Sequence, residues 1–79
     1  MHYVYIIRSC AVPAQRYIGI ADNPRERLDA HNNGESIHTS KYCPWFIETV
    51  IGLSTKEKAI AFEDYLKSGS GFAFAKKHF

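Results

Sequence analysis

Two phenols, one guanidinium and one carboxylate are the groups of this sequence whose types could do chemistry together. Two tyrosine-centred segments lie near its start, Tyr3-Val4-Tyr5 and Tyr17-Ile18-Gly19, followed by Arg27 and, much later, by Glu63. A phenol can position or deprotonate water, a guanidinium can neutralise a phosphate, and a carboxylate can hold a hard cation. Together these groups would suffice to hydrolyse a phosphodiester with one divalent metal ion.

The two tyrosines are candidates for the general base and for the group that positions the attacking water. The pKa of a free tyrosine is about 10, so a neighbouring cation would have to lower it for Tyr5 or Tyr17 to act as a base at neutral pH. Lys41, in the polar segment after His38, could supply that cation. Gly19 would let the backbone pass close to a substrate or to the first helix.

Arg27 and His31 are spaced so that both side chains project from one face of a helix. The planar fork of Arg27 suits two charge-assisted hydrogen bonds to the oxygens of a scissile phosphate. His31 could accept a proton, or position the attacking water or a phosphate, since a free histidine has a pKa of about 6.5. His38 is a further candidate for phosphate contact.

Glu63 is the candidate metal ligand, because a carboxylate oxygen suits Mg²⁺ or Mn²⁺. A magnesium ion usually keeps several waters, so one protein carboxylate and a substrate phosphate can hold it. No second carboxylate obviously partners Glu63, which favours a mechanism with one ion over one with two. The spacings of His31, His38 and Cys43 match no compact zinc pattern.

Each of these residues also has a purely structural interpretation. Tyrosines on strands, such as Tyr5 and Tyr17, are commonly half-buried packing residues with a hydrogen-bonded hydroxyl. Arg27 alone could be a solvated helix residue, and Glu63 could simply flank an apolar stripe. It is the combination of the four, in this order, that favours a site.

Size and composition predict one domain over residues 1–79. The sequence is 46% hydrophobic and 14% aromatic, enough to build a core, and its 23% of charged residues is ordinary. The net charge of +2 neither proves nor excludes a nucleic-acid partner. Basic residues cluster in two places, as a phosphate-binding surface requires: near the first motifs and at the C-terminal end (Arg16, Arg25, Arg27; Lys67, Lys76, Lys77, His78).

The same sequence argues against a membrane protein. No apolar stretch approaches the roughly 20 residues that span a bilayer, and the N-terminus lacks the basic leader of a signal sequence. We therefore expect a cytoplasmic protein without a membrane partner, in which Cys10 and Cys43 are free thiols. The sequence does not indicate an oligomeric state.

Three runs of aromatic and β-branched residues predict strands at Tyr3–Arg8, Arg16–Ala21 and Trp45–Ile51. The first two would pair as an antiparallel hairpin because their connection is short. With helices between and after them, the order ββαβαα predicts an α+β fold, a small three-stranded antiparallel sheet flanked by helices. The segment 35–44 lacks periodicity and is expected to be a polar loop.

Capping residues predict where the helices begin. Asn23 and Pro24 favour a helix that runs to about Asn32, and a capping box at 54–57 favours one from about Thr55 to Lys67. Its apolar face would carry Ala59, Ile60, Phe62 and Leu66, and the run Ser68-Gly69-Ser70-Gly71 would end it. A short last helix is expected over 72–79, with three inward-facing residues: Phe72, Ala75 and Phe79.

At these motifs the chain resembles a small single-domain GIY-YIG nuclease. Tyr17-Ile18-Gly19 is the second half of the signature, and Tyr3-Val4-Tyr5 is a degenerate first half with Tyr3 where the family has glycine. Arg27 resembles the arginine of the family's first helix, Glu63 its metal-binding glutamate, and segment 65–71 the end of its small members. The resemblance implies that Tyr5 is the base and Tyr17 the positioning group.

We therefore expect an endonuclease that hydrolyses DNA with one Mg²⁺ or Mn²⁺ ion, on branched, damaged or single-stranded forms. Gly19, His38, Lys41 and Lys67 are the expected substrate contacts. Two alternatives stay open: a non-catalytic nucleic-acid-binding module that keeps the fold, and an interaction domain that needs a protein partner for DNA affinity.

Overall fold

Three strands form one antiparallel sheet in the computed structural model, which describes residues 1–79. The central strand β1 (His2–Ser9) pairs with β2 (Arg16–Ala21) on one side and with β3 (Trp45–Leu53) on the other. Four helices accompany the sheet: α1 (Pro24–Asn32), α2 (Ile37–Ser40), α3 (Lys56–Lys67) and α4 (Gly69–His78). The predicted α+β class and the three-stranded antiparallel sheet are confirmed.

Side-chain caps fix the starts of the three longer helices. The Asn23 side chain accepts a hydrogen bond from the Glu26 N–H at 3.2 Å, and Thr55 Oγ1 accepts one from the Lys58 N–H at 3.1 Å. Both helices begin within one residue of the prediction. Ser68 behaves differently from expectation, because it ends α3 and its hydroxyl also caps α4, accepting from the Gly71 N–H. The last helix consequently begins at residue 69 rather than 72.

The central strand divides the core into two clusters, because successive side chains of a strand point to opposite faces. Val4 and Ile6 pack with residues of α3 and α4, namely Ala59, Leu66 and Ala75. Tyr5 and Ile7 pack on the other face with Ala21 and Trp45. Helix α1 contacts the sheet, and Leu28 of that helix packs against the Tyr5 cluster. Tyr5 is thus placed on the α1 face.

Three expectations about the helices are wrong. The segment 35–44 contains a short helix, α2, whose single turn is too brief to show a periodicity. Phe72 and Phe79 are 55% and 40% exposed, because Gly71 and Ala75 are the residues of α4 that lie buried, and a Cβ at Gly71 would overlap the Tyr65 carbonyl. Ile60 is exposed as well, since the buried line of α3 runs through two other residues, Ala59 and Leu66.

Strand β3 departs from a regular partner of β1 at two positions. Its register with β1 shifts between Ile6 and Ile7, which leaves Glu48 as an extra residue on β3. Further along, Gly52 lies opposite Tyr3, and a Cβ at Gly52 would come 3.2 Å from the Tyr3 ring. The extra residue thus adds the Glu48 carboxylate to β3, and Gly52 leaves room for the ring of Tyr3.

Two further predictions concern membrane-spanning helices and the two cysteines. None of the four helices has the length and apolar character needed to cross a bilayer. Cys10 and Cys43 are both free thiols, as expected.

Candidate active site

Tyr5 lies with its ring across the neighbouring strand, over Gly19. The two residues are direct partners in the β1–β2 pairing. A Cβ at Gly19 would stand only 2.6 Å from Tyr5 Oη and 2.7 Å from Cζ, closer than real atoms approach. Gly19 therefore makes room for the phenol, a different use of glycine from the close backbone approach that was expected. Since β2 is an edge strand, the hydroxyl is directed toward the edge of the sheet.

The Tyr5 hydroxyl belongs to a buried chain of three polar side chains. Tyr5 Oη and His31 Nε2 are 2.9 Å apart, and His31 Nδ1 and Thr39 Oγ1 are 2.8 Å apart. All three residues are at least 98% buried. Both ring nitrogens of His31 are thus occupied within the protein, so the histidine stands behind the phenol. It does not reach out to water or phosphate, as the sequence had suggested it could.

Tyr17 and Arg27 complete this side of the site. The Tyr17 ring centroid lies 4.8 Å from that of His31 and 6.2 Å from that of Tyr5. Arg27 is exposed and lines an open depression where β2 meets α1, bordered also by Asp22 and Glu26. Its charge acts on both Tyr5 and His31. A guanidinium here can meet an anion arriving from solvent.

Glu63 reaches the same region from the other layer of the fold. Its helix α3 packs on the Val4 and Ile6 face of the sheet, but it also contacts β2, whose position 19 has no side chain. The Glu63 carboxylate lies within electrostatic range of Tyr5. The two phenols thus lie against β2, and the charges of Arg27 and Glu63 both act on the Tyr5 hydroxyl, from α1 and from α3.

The sequence was also compared with models of protein families. The model of the GIY-YIG catalytic domain matches residues 1–77. The chain belongs to the GIY-YIG family. This membership confirms the resemblance seen in the motifs, and the matched model, that of a catalytic domain, supports the expected class of enzyme.

Two curated relatives of this GIY-YIG chain carry similar names. The "structure-specific endonuclease subunit SLX1 homolog" of Giardia intestinalis is 38% identical over 65 residues, covering 77% of this chain and 18% of the relative. The "structure-specific endonuclease subunit SLX1" of Debaryomyces hansenii is 38% identical over 71 residues, covering 81% and 20%. The chain thus spans about a fifth of the length of the curated relatives that it matches.

Burial is the main cause of the pKa shifts of Tyr5 and His31 in this GIY-YIG domain. Burial raises the pKa of Tyr5; Arg27 opposes this increase, whereas Tyr17 and Glu63 add to it. The pKa of His31 is lowered, first by burial and then by the Arg27 charge. Both groups are therefore neutral near pH 7. A cation was expected to bring the tyrosine pKa down, but the desolvation of the phenol prevails over it.

The Glu63 carboxylate of this domain is the group best placed to hold a metal ion. Its side chain is 19% exposed, and Lys67 Nζ lies 3.3 Å from Oε2, one helical turn further along α3. No three histidine, cysteine, aspartate or glutamate side chains are grouped as a ready-made cage. One carboxylate fits an ion that keeps most of its waters, provided that Lys67 yields its place.

Two other expected substrate contacts, His38 and Lys41, flank Thr39 without joining its side-chain hydrogen bonds. His38 and Lys41 are exposed, at and just after α2, and neither is hydrogen-bonded to Tyr5, Tyr17 or Glu63. Lys41 Nζ instead lies 5.5 Å from the centroid of the Tyr42 ring. The positive charge that acts on Tyr5 comes from Arg27. Lys67 is the one lysine that the structure places beside the site.

Thr39 is the member of the buried chain with Tyr5 and His31 that sequence reasoning missed. It stands between His38 and Lys41, which were selected for their charge, and it is 2% exposed. Its residue type carries no signal, since threonine is common in loops and strands. The available clue was indirect: a buried histidine needs a partner for each ring nitrogen, and a hydroxyl in the following turn can provide one.

Proposed function

We propose that this GIY-YIG domain is an endonuclease that hydrolyses DNA phosphodiester bonds with the help of one divalent ion, Mg²⁺ or Mn²⁺. The observation that supports this best is the convergence of Tyr5, Tyr17, Arg27 and Glu63 near one sheet edge, from four different elements. The family supports the reaction class, and the four side chains match the demands of phosphodiester hydrolysis.

Arg27 is assigned to the scissile phosphate. It is exposed, it borders an open depression, and a guanidinium fork can donate two hydrogen bonds to phosphate oxygens. Placed there, its fixed charge would stabilise the negative charge that develops on the oxygens in the transition state. Lys67, 53% exposed, is the second cation within reach of the bound phosphate backbone.

Glu63 is assigned to the divalent ion. When bound, such an ion neutralises phosphate charge and acts as a Lewis acid. The carboxylate is partly buried, which limits its freedom and strengthens its electrostatic effect. The Lys67 ammonium now pairs with it, and if Glu63 held an ion, that lysine would be free to contact the substrate.

Tyr5 is assigned the role of general base, acting through His31. Because the pKa of Tyr5 is raised, its hydroxyl stays protonated and cannot accept a proton unless it gives one up. His31 Nε2 stands 2.9 Å away, on a ring whose lowered pKa keeps it neutral. As the attacking water gives its proton to Tyr5 Oη, the Tyr5 proton passes to His31. This transfer requires the tautomer in which Nδ1–H donates to Thr39 Oγ1, 2.8 Å away.

Tyr17 is assigned to positioning the water. It is half-buried on the edge strand and packs against the His31 ring, so its hydroxyl is held without being enclosed. The names of the relatives describe structure-specific endonuclease subunits. We therefore place branched DNA first among the substrates and include a protein partner among the interactions, since a domain this small buries little nucleic-acid surface alone.

One experiment tests the assignment directly. Purified protein is incubated with plasmid, single-stranded and branched DNA in Mg²⁺, Mn²⁺ or EDTA, beside the variants Glu63→Gln and Arg27→Ala. Glu57→Gln, an exposed carboxylate on the same helix, is the matched control. We expect metal-dependent cleavage that both site variants abolish and the control keeps.

Cleavage that persists in Glu63→Gln would reject the metal assignment. Salt-sensitive binding without cleavage, surviving Glu63→Gln, would instead identify a non-catalytic binding module. Activity that appears only after a partner protein is added would identify an interaction domain that borrows its DNA affinity.

A further inference from the structure

A separate basic groove lies on the opposite face of the sheet from Tyr5. It encloses about 430 Å³ between the ends of β1 and β2 and the side of α4, lined by Arg8, Ala14, Gln15, Arg16, Phe72 and Lys76. None of these residues belongs to the candidate active site. The groove is nevertheless close to that site along the chain, because Arg16 immediately precedes Tyr17 on β2.

The cations of this groove are incompletely neutralised. Arg8 and Arg16 are direct partners across β1 and β2, an arrangement in which like charges repel. Glu48, the extra residue of β3, is the only carboxylate paired with them: its Oε2 is 2.6 Å from Arg8 Nε, and its Oε1 is 3.9 Å from Arg16 Nε. Lys76 forms no ion pair and is exposed. Three cations thus face one anion.

Arg16 also retains unused hydrogen-bonding capacity. Its Nε is buried and makes no hydrogen bond, since 3.9 Å to Glu48 is too long for one. A buried donor without a partner costs on folding, and proteins usually avoid it. That Nε is itself enclosed, so an incoming anion would reach the two neighbouring guanidinium groups through the part of each that is exposed, 28% of the Arg8 side chain and 13% of the Arg16 side chain.

Phe72 adds an aromatic surface to these charges. It is 55% exposed, the largest exposed fraction among the aromatic residues of the chain. The Arg16 guanidinium carbon lies 5.8 Å from the ring centroid, so the ring rests against that cation. An exposed ring among cations is the combination that proteins use to hold single-stranded nucleic acid, by stacking bases and attracting phosphates.

We propose that this groove binds a single-stranded segment of nucleic acid, with a base stacked on Phe72 and phosphates held by Lys76 and the Arg8–Arg16 pair. An acidic peptide would satisfy the cations but would not use the exposed ring. The proposal deepens the proposed nuclease function, on which it rests for the identity of the strand as DNA. Arg16 and Tyr17 are neighbours on the edge strand but face opposite sides of the sheet. A strand leaving the active site past Tyr17 would therefore pass around the β2 edge to meet Arg16.

The test measures binding in EDTA, so that cleavage plays no part. A fluorescein-labelled deoxythymidine oligomer of about 12 nucleotides is titrated with the full chain, and its anisotropy is followed over a range of NaCl concentrations. We expect Phe72→Leu to weaken binding by roughly fivefold or more, as the loss of one stacked base implies, and Phe72→Tyr to keep it. Lys76→Gln should reduce the slope of log Kd against log salt by about 0.7.

Matched controls make the result decisive. Lys77→Gln removes the same charge from the adjacent position of α4, outside the groove lining, and should change the affinity less than Lys76→Gln. The thermal unfolding of each variant shows that the fold is intact. Equal affinity in wild type, Phe72→Leu and Lys76→Gln overturns the proposal. The proposal is also overturned if polyglutamate displaces the labelled oligomer as well as unlabelled DNA does, and does so equally from wild type and from Phe72→Leu.

Failure of the nuclease assignment would look different. In that case the chain would not cut DNA, yet the groove variants would still weaken oligonucleotide binding. Conversely, plasmid cleavage that depends on Glu63 would support the nuclease assignment. If the groove variants then bound the oligonucleotide as wild type does, the groove proposal alone would be rejected.

Discussion

The Tyr5 hydroxyl lies 2.9 Å from His31 Nε2, and both groups are buried at the junction of β1 and α1. Their pKa values move in opposite directions, up for the phenol and down for the imidazole, with burial as the first cause of each. A neutral pair of this kind can pass a proton in one direction when a base is needed. The same hydrogen bond joins β1 to α1, so a substitution that breaks it would affect both the proposed proton transfer and the stability of the fold.

Removing the Tyr5 hydroxyl should abolish cleavage and weaken the fold. In Tyr5→Phe the general base is lost, for which we expect a decrease in the single-turnover rate of about 10²- to 10⁴-fold. His31 Nε2 also loses its partner, which should lower the free energy of unfolding by about 1–3 kcal/mol. Tyr3→Phe is the control, since Tyr3 lies on the same strand and its hydroxyl makes no hydrogen bond. Equal effects of the two changes would contradict the assignment.

Stability should decline as the pH falls below the ordinary histidine pKa of 6.5. The folded pKa of His31 is lower than the unfolded one, so between the two values the unfolded chain binds more protons, and stability rises with pH. The contribution is complete above pH 6.5 and is lost on acidification through the folded pKa. Urea denaturation from about pH 5 to 7.5 would show a slope of at most about 1.4 kcal/mol per pH unit for this group.

His31→Gln should flatten that pH dependence, whereas His78→Gln, an exposed histidine at the end of α4, should leave it as in the wild type. A slope that His31→Gln does not change would mean that other groups cause the acid sensitivity.

Removing the Arg27 charge should raise the pKa of His31, because that charge now helps to lower it. An NMR titration of the His31 ring in Arg27→Gln would show the increase, while Arg25→Gln, on the same helix, should cause a smaller one. Arg27 is exposed, so its loss should change the free energy of unfolding by no more than about 0.5 kcal/mol. Cleavage should nonetheless fall strongly, with partial recovery in Arg27→Lys. Unaltered cleavage would exclude a phosphate contact.

A methyl group at position 19 should displace the Tyr5 phenol. In Gly19→Ala the new Cβ would meet Tyr5 Oη and Cζ, and we expect a loss of about 1–3 kcal/mol of stability together with most of the activity. Gly69→Ala is the matched change, because a Cβ there has no neighbour within 4 Å. Thermal unfolding and cleavage rates measured side by side would separate the two. A fully active Gly19→Ala protein would mean that Tyr5 need not lie over this residue.

Freeing the Glu63 carboxylate should make a metal ion easier to bind. Lys67→Gln removes the ammonium that lies 3.3 Å from Glu63 Oε2, and the Mn²⁺ concentration for half-maximal cleavage should fall about twofold, the value of an exposed pair of this type. Lys58→Gln, on the same helix but not paired with Glu63, is the control. A higher metal requirement in Lys67→Gln would contradict this competition between the ammonium and the ion for the Glu63 carboxylate.

Much of the fold could be predicted because its signals are local. The caps at Asn23 and Thr55 and the strand-forming runs specify their own conformations. The errors arose where distant contacts decide. Ser68 ends one helix and begins another, a choice that depends on α4 packing closely against α3 through Gly71. The exposure of Phe72 follows from the same approach, which no spacing of residues reveals.

In the candidate site, too, the residue types could be predicted, whereas their hydrogen bonds and burial could not. Tyr5, Tyr17, Arg27 and Glu63 were selected by type and motif, and the structure brings them together, although their roles stay predictions. The hydrogen bonds from His31 to Tyr5 and Thr39 depend on how α1 and α2 meet the sheet. Likewise, the direction of the Tyr5 pKa shift depends on a burial that the sequence could not quantify.

Tyr3 stands where the family has glycine, and a glycine stands directly across from it, at position 52 of β3. A Cβ on Gly52 would meet Met1 Sδ at 2.5 Å and come 3.2 Å from the Tyr3 ring, so β3 is bare where these two side chains lie. The absence of a side chain at position 52 thus accommodates the ring at position 3, although the two positions are far apart in sequence. A signature written as consecutive letters of a single strand does not record such a cross-strand dependence.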